Sequence, residues 1–219
     1  GEATVTLEVG TSYTDAGATA SDNYDGDITD TIVIVNNVDS AVVGTYAVTY
    51  NVSDANGNAA AEVTRTVNVV DTTVPLITLL GEATVTLEVG TSYTDAGATA
   101  SDNYDGDITD TIVIVNNVDS AVVGTYAVTY NVSDANGNAA AEVTRTVNVV
   151  DTTVPLITLE GEATVTLEVG TSYTDAGATA SDNYDGDITD TIVIVNNVDS
   201  AVVGTYAVTY NVSDANGNA

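Results

Sequence analysis

Four aspartates fall within the nine residues DNYDGDITD, at Asp22, Asp25, Asp27 and Asp30. A second cluster, SDANGN, supplies Asp54, Asn56 and Asn58, and a further acid, Asp71, heads the segment DTTVP. The same groups recur as Asp102, Asp105, Asp107, Asp134, Asn136 and Asp151, and again as Asp182, Asp185, Asp187, Asp214 and Asn216. Carboxylates, carboxamides and the carbonyls of tight glycine turns form the ligand set of calcium, which takes about 6–8 oxygens in tolerant geometry. Magnesium fits less well, because it demands octahedral geometry and keeps its waters. Like charges brought within ~4–6 Å raise one another's pKa, and a hard cation removes that penalty. The alternative is that Asp, Asn and Gly simply form turns. The spacing does not follow an EF-hand loop.

Composition excludes most other chemistry. Against 32 acids stand only Arg65 and Arg145, giving a net charge of −30, and Lys, His and Cys are absent. No disulfide, histidine-assisted nucleophile, Schiff-base lysine or histidine metal ligand is available. Phosphate backbones need cationic side chains, so nucleic acid is not an expected partner. No apolar run reaches the ~20 residues of a membrane helix, so no membrane insertion is expected in this segment. Hydrophobic residues make up 44%, and charged ones only 16%, which favours a folded chain over a disordered one. Paired carboxylates also serve glycosidases, but the acidic loops lack a Trp or Phe platform and recur in each repeat, so no enzyme is expected.

The elements that must position the acids follow from repetition. Residues 1–80 recur as 81–160, and 161–219 repeat 1–59, with Leu80 against Glu160 as the substitution. Near-identity points to recent duplication, homogenisation or a consensus sequence. The prolines of DTTVP mark domain starts near Val74 and Val154. The segments are then 1–73, lacking a first strand, a complete 74–153, and 154–219, lacking a last strand. Either the chain is a slice of a longer array, or neighbouring subunits supply the missing strands.

Thr, Val, Ile and Tyr alternate with period two, and nothing reads as a helix. Val5, Leu7 and Val9 share one face, as do Tyr46, Val48, Tyr50 and Val52. The run TIVIV at 31–35 reads as a central strand. About seven strands are expected per repeat, at 74–79, 83–89, 95–101, 110–116, 118–123, 125–133 and 139–150 in the complete copy. This predicts an all-β chain of tandem seven-stranded immunoglobulin-like β-sandwiches. In such a sandwich the loops 102–110 and 134–138 lie at the end where the chain enters. Asp71 is therefore expected to approach them, and Asp151 to approach 182–190 and 214–218.

Arg65 shares parity with Val67 and Val69 and should point inward. The simpler reading is a partly open face along which it snorkels. The other is a buried pair with Glu8 or Asp15. NVS at 51–53 fits an N-glycosylation pattern with Asn51 outward. Tyr24 in the acidic loop could stack on sugar or pack on its own loop.

The succession of xPxITL, VxLEVGTSYTDAGATASD, DGDIT, VGTYAVTYNVSDANGNA and TRTVNVVD resembles the bacterial immunoglobulin-like domain first noted in a pesticidal crystal protein. It is similar to hyalin-type repeats and, more distantly, to cadherin-like repeats. The resemblance implies tandem sandwiches in exported surface proteins, often as a stalk. The cadherin likeness implies calcium at domain junctions, here Asp71 with Asp102, Asp105, Asp107 and Asp134, and Asp151 with Asp182, Asp185, Asp187 and Asp214. Together these readings predict a calcium-stabilised extracellular fibre or adhesin stalk whose partners are neighbouring repeats. The alternatives are a glycan- or protein-binding surface module and a homopolymer completed by strand exchange. Strands of ~9 residues span ~30 Å, so three sandwiches end to end would reach on the order of 100 Å.

Overall fold

Strand-forming residues at period two give a chain whose regular elements are short strands, apart from three 3-10 turns. The computed structural model describes all of residues 1–219. No helix is long and apolar enough to cross a membrane. Backbone contacts divide the chain into two compact units. The first comprises Gly1–Leu80, Gly97–Ile114 and Tyr130–Val143, and the second Gly81–Ala96, Val115–Thr129 and Thr144–Ala219.

In the first unit a sheet runs in the order Thr4–Glu8, Val63–Val70, Gly44–Asn51, Val33–Asn36. Thr4–Glu8 lies parallel to Val63–Val70, with Thr4 opposite Thr66 and Glu8 opposite Val70. Gly44–Asn51 lies antiparallel to both of its neighbours. The alternation of the sequence decides which side chains turn inward. Val48 and Val67 are fully buried and Tyr50 nearly so, with Leu7, Tyr13, Ile32 and Tyr46 packed around them. A second sheet pairs Leu76–Leu79 with Ala98–Asp102, which continues to the short strand Gly106–Asp107. Ile77 faces inward and Leu76 outward, as their parity requires. Leu80 and Glu160 are both exposed, so the position tolerates either residue.

The pattern recurs further along the chain. Thr84–Glu88 runs parallel to Val143–Val150 in a sheet ordered Val113–Asn116, Gly124–Asn131, Val143–Val150, Thr84–Glu88. Val128, Val147 and Val149 are buried there. Leu156–Leu159 pairs with Ala178–Asp182, and Val193–Asn196 with Val208–Asn211.

Three expectations need correction. Residues 118–123 form no strand. The Asn116 and Asp119 side chains accept backbone hydrogen bonds from Val118 and Ala121, 3.1 and 3.0 Å long, and fold this stretch into consecutive turns. The TIVIV run is not central: Val33–Asn36 pairs on one side only, and Val33 remains 62% exposed. The two errors share a cause, since the turns replace the strand that would have covered that edge. Finally, Arg65 does not snorkel along an open face. It is buried and pairs with Asp15, as Arg145 pairs with Asp95.

Candidate functional site

The acidic loops are fixed first by their own short-range bonds. Asp102 Oδ1 accepts the backbone N–H groups of Tyr104 and Asp105, at 2.8 and 3.1 Å, which closes the turn. Asp134 Oδ1 accepts those of Asn136 and Asn138, at 2.9 and 2.8 Å. Asp105 Oδ2 then ties the two loops together by accepting the Ala135 N–H at 2.8 Å. The glycine of each loop, Gly106 and Gly137, has positive φ, which a Cβ would strain.

The linker enters this framework. Asn136 Nδ2 donates to Asp71 Oδ2 at 2.9 Å, and Asn138 Nδ2 donates to the Asp71 carbonyl at 3.1 Å. Carboxylate oxygens of Asp71, Asp105 and Asp134 all lie within 4.8 Å of one another. The second copy is built alike. Asn216 and Asn218 donate to Asp151 at 2.9 and 3.1 Å, and oxygens of Asp151, Asp182 and Asp185 lie within 4.8 Å of one another. Asp22, Asp25 and Asp54 form the corresponding group of the first repeat.

Burial and charge make the linker acids unusual. Asp71 and Asp151 are each 6% exposed. Burial pushes both carboxyls above the ordinary aspartate range. The facing Asp102 and Asp134, or Asp182 and Asp214, add to the rise, and only the asparagine amide and a threonine N–H oppose it. Asp102 Oδ2 and Asp182 Oδ2 are buried without a hydrogen-bond partner. No cationic side chain can relieve the crowding, because the chain's two arginines are engaged with Asp15 and Asp95.

Not every anticipated ligand joins the cluster. Asp27 and Asp107 each accept the N–H of the residue two ahead, Thr29 or Thr109, at 3.0 Å. Asp187 does the same with Thr189. These acids stabilise the 3-10 turns at Thr29–Thr31, Thr109–Thr111 and Thr189–Thr191 and lie outside the three-carboxylate groups. The loop of Asn56 is more exposed than that of Asn136. Asn51 does not present a free amide either, since its Nδ2 donates to Glu62 at 2.9 Å.

Two further contacts escaped the sequence reading. The Tyr104 hydroxyl accepts the Val43 N–H at 3.4 Å, and that of Tyr184 accepts the Val123 N–H at 3.3 Å. Tyr24 is 85% exposed, whereas Tyr104 is 37% exposed. The tyrosine therefore reaches back along the chain and does not pack on its own loop. The other contact is Glu88, whose carboxylate accepts from the Thr152 N–H at 3.0 Å and from both threonine hydroxyls at 2.8 Å. Glu8 holds Thr72 and Thr73 in the same way. The signal for this contact was the parallel register that sets Glu88 beside Val150, and alternation alone does not reveal register.

The Thr152 N–H and hydroxyl lead the bonds that hold Glu88 down at about 2. A carboxyl depressed in the folded state contributes stability above its unfolded value near 4.5 and loses it as pH falls through the folded value. Between pH 4.5 and 2 the linker should therefore come loose. Amide exchange at Thr152 should accelerate across that window relative to core amides, and Glu88→Gln should show the acceleration already at neutral pH.

The chain matches the family described as "Bacterial surface protein, Ig-like domain" over residues 1–69, 77–149 and 157–219. It is 35% identical over 195 residues to hyalin of Strongylocentrotus purpuratus, covering 82% of this chain and 16% of hyalin. It is 32% identical over 205 residues to the pesticidal crystal protein Cry22Aa of Bacillus thuringiensis, covering 89% of this chain and 27% of that protein. The chain thus spans about a quarter or less of these relatives. A solved lipoprotein, BT2262 of Bacteroides thetaiotaomicron, is 27% identical with a TM-score of 0.33, over 39% of this chain and 45% of that one.

Proposed function

From the premise that this chain belongs to the bacterial surface Ig-like domain family, repeated three times, we propose that it is a non-catalytic, calcium-stabilised segment of an extracellular stalk or fibre. The observation that carries the calcium reading is the pair of buried linker carboxylates, Asp71 and Asp151, each facing further carboxylates with no cationic side chain to balance them. A divalent cation there would accept the crowded oxygens, including the unpartnered Oδ2 of Asp102 and Asp182. It would also bind the linker to the loops of the next repeat, so that occupancy restrains the joint. The loops are identical in every copy, which favours a spacer over a set of differing recognition surfaces.

Strand exchange between copies finds less support. Each chain carries two strands of the sequence VTRTVNVV, at Val63–Val70 and Val143–Val150, and both are already paired in cis.

Isothermal calcium titration of the whole chain tests the proposal. Two sites should appear near the ~10⁻⁴–10⁻³ M range of extracellular modules. The first-repeat group, Asp22, Asp25 and Asp54, holds no fully buried carboxylate and should bind more weakly. Magnesium should bind less tightly than calcium. Absence of any calcium-specific heat, or equal heats with both ions, overturns the calcium reading and leaves the acids as turn formers.

A further inference from the structure

Each repeat carries an uncharged strip in a chain of net charge −30. Residues 31–38 read TIVIVNNV, with Asp30 before them and Asp39 after them. The strand inside the strip, Val33–Asn36, is the last of its sheet and pairs only with Gly44–Asn51. Ile34 stands opposite the buried Tyr50 and so lies on the inner face, yet it is 48% exposed. Val33 and Val35, opposite Asn51 and Thr49, lie on the outer face and are exposed as well. Ile114 is 47% exposed and Ile194 51%, so the exposure belongs to the repeat and not to its place in the chain.

An edge strand presents the N–H and C=O groups of alternate residues to whatever lies beside it. Soluble proteins normally block such an edge with a lysine, a proline or a bulge. Residues 31–38 contain neither lysine nor proline, and the ladder from Val33–Asn51 to Asn36–Val48 runs without a bulge. The edge is therefore apolar on both faces, uncharged and open to a further strand.

We propose that this edge pairs with the same edge of a second copy of the chain, antiparallel about a two-fold axis at Ile34. The occupant follows from charge and register. Two chains of this charge repel, so contact between them needs a surface without charge, and residues 31–38 supply it. A joined sheet keeps its inner face on one side only if residues directly across from each other share parity. Ile34 then faces Ile34 of the second copy, and Val33 faces its Val35. In that register Asp30 falls across from Val38 and Asp39 across from Thr29, so no acid meets an acid. Moving the axis to Val33 sets Asp39 across from Asp27, and moving it to Val35 sets Val33 across from Asn37. One such edge buries roughly 300 Å² per partner, short of the ~800 Å² of a standard interface, so a single pairing is weak. Repetition of the edge offsets this, because a second pairing within one encounter is intramolecular. The contact shares no residue with the acidic clusters and does not depend on calcium.

The test is sedimentation equilibrium of the whole chain in chelator, with sodium chloride raised from ~0.02 to ~0.5 M to screen the like charges. The average mass should climb toward that of a dimer as salt rises. Val33→Lys, Val113→Lys and Val193→Lys together should hold the chain monomeric, because a charge on an edge strand blocks pairing. These substitutions lower the net negative charge, so general repulsion cannot explain the loss. Leu76→Lys with Leu156→Lys, at exposed residues of other strands, should leave the association unchanged. Register is read separately, since the chain has no cysteine of its own. Ile34→Cys, Ile114→Cys and Ile194→Cys together should give disulfide-linked dimers on mild oxidation, because facing Cα atoms stand about 4.5–5.5 Å apart. Val33→Cys, Val113→Cys and Val193→Cys should not, because two residues of offset carry the Cα atoms to about 8 Å. A chain that stays monomeric at ~1 mM in ~0.5 M salt overturns the proposal and leaves the strip to a partner of another kind. Association that survives the three lysines, or that falls as salt rises, overturns it too.

Discussion

Calcium at ~10 mM should raise the unfolding midpoint of the whole chain by about 10–20 °C, and Asp71→Asn with Asp151→Asn should abolish most of that rise. The size follows from mass action: at the tight end of the ~10⁻⁴–10⁻³ M range the ion stands about 100-fold above its dissociation constant and stabilises the repeat that holds it by about 2.7 kcal/mol, which moves a domain of roughly 80 residues by that amount. The variant should also behave in the opposite sense without calcium. Burial raises the folded-state pKa of Asp71, so the calcium-free fold is favoured at low pH and loses that advantage as pH climbs from the unfolded value of 3.8 through the raised one. At neutral pH the ionised carboxylate is thus a burden on the calcium-free chain. Replacing it with the neutral isostere should raise the chelated midpoint while removing the calcium response. Calorimetry in calcium and in chelator reads both effects. A double variant that loses midpoint in chelator and keeps its calcium shift would contradict the assignment of the linker acids as ligands.

The second large effect lies away from the loops. Arg145→Leu should cost about 3 kcal/mol, because it leaves the Asp95 carboxylate, whose side chain is only 14% exposed, without its cation. That is a large fraction of the ~5–15 kcal/mol available to a typical domain. The loss should not come from the arginine's hydrophobic stem alone. Asp95→Leu, Arg145→Met and Tyr93→Phe together remove the charge pair and one hydroxyl that donates to Asp95, at 3.0 Å. The triple variant should recover most of the loss, since apolar replacements of a buried pair are often neutral or stabilising. Denaturant unfolding of the single and triple variants, compared at equal calcium, checks the expectation. Equal destabilisation by both would mean that the network contributes shape rather than charge balance.

Much of the architecture was legible from alternation. The inward set Tyr46, Val48 and Tyr50 and the outward Leu76 lie where parity puts them. The strand order was not, and the TIVIV run shows why. An uninterrupted apolar run satisfies a central strand and an exposed edge equally well, and only the turns at Asn116 and Asp119 decide. Those turns rest on Asn and Asp side chains accepting bonds from the backbone two residues ahead, a turn signal that the neighbouring valines outweighed in the reading. Arg65 misled for a related reason. Its partner Asp15 is distant in sequence, and nothing local shows that Tyr13 and Tyr50 converge on the same carboxylate. In the acidic loops, residue type identified Asp71, Asp105 and Asp134. It could not show that Asp107 spends its oxygen on Thr109, nor that Asn138 reaches the linker carbonyl.

The parallel pairing of Thr84–Glu88 with Val143–Val150 also has a mechanical meaning. A pull that enters at Thr84 and leaves at Val150 drags the two strands past each other along their common axis. The load then falls on the whole ladder from Thr84–Thr146 to Glu88–Val150 at once, in shear. An antiparallel hairpin pulled at its open end would instead come apart rung by rung, like a zipper. The Glu88 carboxylate, bonded to Thr152 and Thr153 just past the ladder's end, adds a latch in the same direction. Under tension each such repeat resists as a single clamp until it gives way as a whole.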